Sequence, residues 1–202
     1  MREILPGLHH WTAFHEGIRS DVSSHYAAGS RALIDPMLPP DGLDAFDELP
    51  RPEVIVLTNR HHYRNSDRFA ERFGCPVRCH ESGLHEFEGS ERKVEGFSFG
   101  EQLAPGIVTL EVDAICPDDT ALHLDVGDGV LAFADALVHW GDGRVGFVPD
   151  QYMDGPEQVK KGIRDVAARL LEEQRFSTLL FAHGDPIVGE GERALREFVG
   201  NA

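Results

Sequence analysis

The feature that most constrains the fold is a series of short apolar segments, each of single-strand length and each followed by polar or turn-forming residues. Residues 53–57 (Glu-Val-Ile-Val-Leu) are apolar and rich in β-branched side chains, which predicts a strand covered on both faces. Residues 107–112, 121–126 and 130–133 predict a β-meander, and residues 178–181 predict a further buried strand. Because strands predominate and helical patterns come late or between them, we expect an α/β fold with layers around stacked sheets.

The clearest helical pattern begins at Pro156, a residue favoured in the first turn of a helix, and extends to residue 174. Its apolar residues recur at helical spacing and form one stripe, which predicts a helix packed on an outer face of the sheets. The members of this stripe are Val159, Ile163, Val166, Leu170 and Leu171. A last helix is predicted over residues 192–199.

The charge of the chain narrows the kinds of partner it can have. Its 202 residues include 35 acidic and 19 basic side chains, a formal net charge of −16. Nucleic acids and anionic membrane surfaces both require a basic face, so the expected partner is a small molecule or a protein, with no nucleic acid and no membrane. A locally basic pocket remains open, because Arg60 and Arg64 lie close together. With no repeat or linker, residues 1–202 are expected to form one domain.

The cysteines and the N-terminus predict a cytoplasmic protein. Three cysteines are an odd and sparse number, typical of a reducing compartment. Pro6 and Gly7 interrupt any apolar core that a signal peptide would need. Cys75 and Cys79 precede His80 and could suggest zinc, but Cys116 stands alone, so both cysteines are interpreted as small buried hydrophobic residues beside a strand.

Three predicted strands end in side chains that suit a divalent metal ion. His61 and His62 follow the strand at residues 53–57, Asp135 follows the apolar run at residues 131–134, and His183 follows the strand at residues 178–181. Loops at strand ends commonly carry sites, and imidazole with carboxylate is a typical ligand set for zinc.

The order of these segments resembles the metallo-β-lactamase superfamily, including the glyoxalase-II-like hydrolases. The family segment Thr-His-x-His-x-Asp-His corresponds to residues 58–64 (Thr-Asn-Arg-His-His-Tyr-Arg), and a later Gly-His-Thr-Pro-Gly-like turn corresponds to residues 114–118. Residues 134–138 match the strand end that supplies a bridging carboxylate, and residues 182–184 match a C-terminal Gly-His-Gly. The resemblance spans nearly the whole chain. It implies a four-layer αββα sandwich of two mixed β-sheets flanked by helices.

The departures from the family pattern concern the metal ligands. Asn59, Tyr63, Arg64 and Ile115 stand where the family has His, Asp, His and His. Arg64 matters most, because a guanidinium stays protonated and cannot bind a metal ion. The resemblance therefore implies a degenerate metal site without two-metal hydrolase chemistry. The residual ligands are His61, Asp135 and His183, and the predicted cleft residues are Asn59, His61, His62, Tyr63, Arg64, Ile115, Asp135 and His183.

Two functions stay open at this point. In the first, the chain is a metallo-β-lactamase-fold protein that binds a small ligand or a partner in the residual cleft without metal. In the second, it is a divergent hydrolase that uses one divalent ion such as zinc on His61, Asp135 and His183, or metal-free acid–base chemistry by Asp135 and His183. The substrate, the physiological role and the oligomeric state are not encoded in any visible motif.

Three further expectations concern individual side chains. His62 is expected to be a solvated loop residue, since adjacent residues seldom both point into one site. Arg64 is expected to fill part of the vacant metal volume and to contact Asp135 directly or through water. Asp118 and Asp119 are expected to be solvated loop charges.

Overall fold

The computed structural model of the protein describes residues 1–139, 141 and 143–200. Its first sheet has seven strands in sequential order. The first four strands pair with one another in antiparallel fashion, and the pairings from the fourth strand to the seventh are parallel. The strands are β1 (Arg2–Leu5), β2 (Leu8–His15), β3 (Ser20–Ala27), β4 (Ala32–Ile34), β5 (Val54–Val56), β6 (Val77–His80) and β7 (Val94–Phe97).

The second sheet has five strands and is also mixed. The five strands are β8 (Gln102–Ala104), β9 (Ile107–Glu111), β10 (Thr120–Leu124), β11 (Val130–Phe133) and β14 (Thr178–Phe181). Their spatial order is β14-β11-β10-β9-β8, and every pairing is antiparallel except that of β11 with β14. A short ribbon of β12 (Val138–His139) and β13 (Val145–Gly146) follows β11.

Among the described residues, three α-helices cover the outer faces of the sheets: α1 (Ser66–Phe73), α2 (Pro156–Glu173) and α3 (Gly191–Gly200). The predicted long helix is confirmed, since α2 begins at Pro156. Its buried residues all come from one side of the helix, as the apolar stripe requires. Short 3₁₀-helices connect other elements at Leu43–Phe46, Arg60–Tyr63, Glu81–Phe87 and Asp150–Tyr152.

The buried apolar residues fall into three layers that explain the order of sheets and helices. A central cluster contains Ile34 and Val56 from the first sheet together with Leu122 and Leu180 from the second, so the two sheets pack face to face. A second cluster joins the outer face of the second sheet to α2 and α3. A third joins the outer face of the first sheet to α1. Helices therefore flank two stacked mixed sheets, as expected from the sequence.

Two smaller expectations can be compared with the structure. Cys75 and Cys79 are buried and unpaired, in agreement with their interpretation as core residues. Within the described residues, no helix is both long and apolar enough to span a bilayer.

Candidate ligand cleft and metal centre

The candidate centre lies where three strands of the two sheets end. Strands β11 and β14 are parallel neighbours, and Phe133 pairs with Phe181. Asp135 and His183 each follow two residues after that pair, so the register brings them to the same edge of the second sheet. The turn after β5, on the first sheet, supplies His62.

Asp135 is the hub of this centre. Its Oδ1 lies 3.2 Å from Nε2 of His183 and 3.3 Å from Nε2 of His62. Its Oδ2 accepts a hydrogen bond of 2.8 Å from Nδ2 of Asn59. One ligand atom each from His62, Asp135 and His183 lies within 4.8 Å of the others. This is the one group of three such residues that meets this spacing in the part of the chain that the structure describes.

His62 links Asp135 to a second carboxylate behind it. Its Nδ1 lies 2.9 Å from Oδ2 of Asp35 and 3.0 Å from the hydroxyl of Thr58. The Thr58 backbone N–H also donates to Oδ1 of Asp35 at 2.8 Å. His62 is therefore held between Asp35 and Asp135, one on each ring nitrogen.

The charges of this cluster shift the pKa values of its members. Burial opposes protonation of His62, but the carboxylates of Asp135 and Asp35 outweigh it and raise the pKa of His62 to about 9. Burial likewise favours the neutral form of Asp135, yet His62 and the hydrogen bond from His183 hold the pKa of Asp135 well below its usual range. At neutral pH, an imidazolium thus lies between two carboxylates.

The structure corrects the expected roles of the two adjacent histidines. His61 is exposed, and it lines the cleft without joining the cluster around Asp135. His62 was expected in solvent but has 5% of its surface exposed. The physical reason is the buried Asp35 carboxylate, which lies 2.9 Å from Nδ1 of His62, whereas the side chain of His61 stays exposed at the cleft.

Arg64 does not make the direct contact with Asp135 that was one of the two expected arrangements. Its Nη1 donates to the carbonyl oxygens of Ser23 at 2.5 Å and Asp35 at 2.8 Å, and its Nη2 lies 3.4 Å from the carbonyl oxygen of Ala182. Its hydrogen bonds thus go to main-chain carbonyls and none goes to the Asp135 carboxylate. The expected cation beside Asp135 is instead His62, which is already held there by Asp35.

The remaining predicted residues divide between the cleft and the core. Asn59 and Ile115 line the cleft. The ring of Tyr63 packs in the core, with its centroid 5.8 Å from that of Phe87, and is not among the lining side chains. Placing Tyr63 in the cleft was therefore wrong, because an aromatic ring gains more by burial against the helix layer.

The cavity above the centre has a volume of about 590 Å³. His62, Arg64, Asp135 and His183 contribute polar groups to its lining. Apolar side chains contribute much of the remainder: Ile18, Val22, Ile115, Val148, Tyr152 and Met153. A polar centre beneath apolar walls is typical of small-molecule sites.

No family model matches the chain, and no curated protein matches it either. Solved structures do match. A metallo-β-lactamase family protein from Thermus thermophilus has a TM-score of 0.69 at 20% identity, over 98% of this chain and 80% of that one. The chain has the metallo-β-lactamase fold. The identity is low enough that this likeness establishes the fold alone.

Two further matches show how widely this fold is used. A Cronobacter sakazakii metallo-β-lactamase with a HARLDQ motif has a TM-score of 0.59 at 15% identity, over 90% of this chain and 79% of that one. A flavo di-iron protein from Thermotoga maritima has a TM-score of 0.62 at 17% identity, over 95% of this chain and 58% of that one. Proteins with this fold thus differ in chemistry, and function must be argued from the residues of the cleft.

The sequence interpretation missed Asp35 and misjudged two other carboxylates. Asp35 follows β4 directly, so the strand-end signal that found Asp135 could also have found it. Asp118 and Asp119, expected in solvent, are both fully buried. Asp118 pairs with Arg60, whereas neither carboxylate oxygen of Asp119 has a partner among the described residues. Burial, with the nearby Asp135 charge, raises the pKa of Asp119 well above its usual range.

Proposed function

We propose that this protein binds a small molecule in the cleft of a metallo-β-lactamase fold and lacks two-metal hydrolase chemistry. The observation that carries the proposal is the side chain at position 64, where the resemblance requires a histidine. Arg64 places a guanidinium at the cleft, fastened to three carbonyl oxygens. A guanidinium stays protonated, so the second ion of a two-metal centre would meet a fixed positive charge and would lack a ligand.

The other altered positions support the same proposal. Asn59 donates to Asp135 through its amide Nδ2, which has no lone pair to give a metal ion. Tyr63 packs in the core, and Ile115 has no donor atom. Each of these changes replaces an expected metal ligand with a side chain that is hydrogen-bonded, packed in the core or apolar, and none of them needs a metal ion. A cleft of about 590 Å³ without these ligands favours binding over two-metal hydrolysis.

The donors that remain fit one divalent ion. His62, Asp135 and His183 would hold it, since their ligand atoms lie within 4.8 Å of one another. Loss of the Nε2 proton from the His62 imidazolium would leave Nδ1 donating to Asp35 and the Nε2 lone pair free to bind the ion, an arrangement common in zinc-binding histidines. An ion bound there would supply Lewis acidity and an activated water molecule.

This fit favours a second candidate function, a hydrolase with one metal ion. Catalytic zinc sites often use three protein ligands and leave one position open. In that case His62 takes the place of His61 in the ligand set that the sequence suggested, and Asp135 and His183 stay the same. Asn59 and Arg64 would then orient a polar substrate group near the centre.

Metal content separates these functions. Elemental analysis of protein purified without added zinc, and again after equilibration with zinc and desalting, should give no more than one equivalent. Hydrolysis of a β-lactam and of a thioester should stay at the level of a buffer control. Two tightly held ions with chelator-sensitive hydrolysis would overturn the proposal, and one ion with such hydrolysis would establish the second candidate.

A matched pair of variants tests the ligand set. His62→Ala should abolish any zinc binding, whereas His61→Ala should leave the zinc equivalents unchanged. Loss of zinc in His61→Ala alone would restore the ligand set suggested by the sequence. A cytoplasmic location and a single domain over residues 1–202 remain part of the proposal, supported by the cysteine content and by the absence of a linker.

A further inference from the structure

The guanidinium of Arg64 has bonding capacity that the protein itself does not use. Both N–H groups of Nη1 donate to carbonyl oxygens, and one of Nη2 is directed to a third. Nε–H and the second N–H of Nη2 have no acceptor among the described residues. Nε and Nη2 share one edge of the planar guanidinium, and a pair of N–H groups on one edge matches the two oxygens of a carboxylate.

Of the two arginines that line the cleft, Arg64 is the one that no carboxylate pairs with among the described residues. Arg60 also lines the cleft, but it is paired with the buried carboxylate of Asp118. His62 is held between Asp35 and Asp135. Asp135 is in turn bonded by His62, His183 and Asn59, so it does not offer an unpaired charge that would repel an anion.

The rigidity of Arg64 adds to this argument. Its three carbonyl partners belong to β3, to the end of β4 and to the loop after β14, so both sheets fix its position. A cation that is already ordered loses little side-chain entropy when it binds a ligand. The protein carries a net charge of −16, but that charge is screened beyond about 8 Å at physiological ionic strength.

The apolar part of the cleft indicates the rest of the ligand. Ile18 and Tyr152 have 51% and 61% of their surfaces exposed. Both line the cavity, as do Val148 and the buried Met153. Large apolar side chains left in solvent beside a cavity favour a ligand with an apolar body. The cavity volume of about 590 Å³ suits a molecule of metabolite size.

We infer that the ligand of this cleft is a small organic acid whose carboxylate binds the Nε–Nη2 edge of Arg64 and whose apolar body lies against Ile18, Tyr152 and Met153. The inference rests on the proposed function, that the cleft is a small-molecule site. It adds the chemical class of the ligand and assigns Arg64 as the residue that determines the specificity.

Two matched probe pairs test the inference on the unmodified protein. 4-Phenylbutyrate with 4-phenylbutyramide, and octanoate with octanamide, keep the apolar body and change only the charge. Binding is measured by titration calorimetry, with the protein as purified and again after dialysis against EDTA. Each acid should bind about tenfold more tightly than its amide, in both preparations.

Variants then locate the preference. Arg64→Gln should bind acid and amide equally, and Arg64→Lys should retain part of the preference, because it keeps the charge but loses the paired N–H groups. Arg68→Gln, on the exposed face of α1, makes the same charge change outside the cleft and should behave as wild type. Thermal melts show whether each variant is folded. If Arg64→Gln does not fold, the comparison of acid with amide in the wild-type protein still tests the inference.

The other possible results distinguish a failure of the inference from a failure of the proposed function. Equal binding of acid and amide would overturn the inference and leave the proposed small-molecule cleft intact. A preference that vanishes with EDTA, or that survives in folded Arg64→Gln, would place the carboxylate on a metal ion or elsewhere and would also overturn it. Failure of all four probes to bind would count against both the inference and the proposed function.

Discussion

The two sheets contribute to the floor of the cleft in different ways. On the first sheet, Asp35, Thr58 and His62 form a closed set in which Asp35 accepts from both of its neighbours. On the second sheet, Asp135 and His183 point into the cleft, and the buried Asp119 has no partner for either carboxylate oxygen among the described residues. The first sheet thus orients the centre and supplies its positive charge. The second supplies two of the three side chains that could hold a metal ion, Asp135 and His183.

The largest expected effect comes from Asp135, which is contacted by His62 of the first sheet and by His183 of the second. Asp135→Ala removes the acceptor of His62, His183 and Asn59, and it leaves the His62 imidazolium with one carboxylate instead of two. Loss of one partner from a buried charged group typically costs about 3–5 kcal/mol. Urea unfolding at pH 7 should show a loss in that range. A loss below about 1 kcal/mol would mean that Asp135 is not the hub of the cluster.

The second prediction compares two adjacent histidines, one in the first-sheet set and one outside it. His62→Ala should cost about 3 kcal/mol, because it leaves Asp35 buried without its cationic partner. His61→Ala should change the free energy of unfolding by no more than about 0.5 kcal/mol, as is usual for an exposed side chain. Equal costs in urea unfolding would contradict the assignment of His62 to the buried set.

How far the sequence predicts the structure differs between the same two regions. The second-sheet half of the centre was predictable, because Asp135 and His183 follow apolar runs that form neighbouring parallel strands in register. The layered fold follows from similar patterns. Strand periodicity and register fix such positions with few alternatives.

The first-sheet half was not predictable in the same way. The position of His62 depends on a tight turn, Arg60–Tyr63, which is followed by Arg64 with a φ of 46°, a conformation that non-glycine residues seldom adopt. It also depends on Asp35, which lies 27 positions from His62 in the chain and is brought close only by the packing of β4 against β5. Spacing within the motif carries no information about such a long-range acceptor.

The third prediction uses the unpartnered carboxylate of the second sheet. The pKa of Asp119 is raised well above its ordinary value of 3.8, first by burial and then by Asp135. Asp119 therefore keeps its proton in the folded state at pH values where the unfolded chain has lost it. Its contribution to stability is complete below pH 3.8 and declines as pH rises, by at most about 1.4 kcal/mol per pH unit.

Asp119→Asn removes this titration with little change in shape. The difference in unfolding free energy between variant and wild type should shift in favour of the variant as pH rises above 3.8, by at most about 1.4 kcal/mol per pH unit. Asp118→Asn is the neighbouring comparison and should destabilise, since Asp118 is paired with Arg60. A difference for Asp119→Asn that stays constant with pH would show that Asp119 is ionised in the folded protein.

The smallest effect is expected at Thr58, whose hydroxyl contacts both Asp35 and His62. Thr58→Val keeps the shape of the side chain and the backbone N–H bond to Asp35, so only the hydroxyl bonds are lost. We expect a cost of about 1 kcal/mol in urea unfolding. Thr58→Ser, which keeps the hydroxyl, should cost less. If the centre holds a zinc ion, the loosened His62 should also weaken zinc binding about tenfold in Thr58→Val, because the groups that orient a metal-binding histidine usually affect its affinity to that extent.

Unchanged stability in Thr58→Val would show that Asp35 alone holds the ring of His62, and the orienting role of the first sheet would then rest on that one carboxylate.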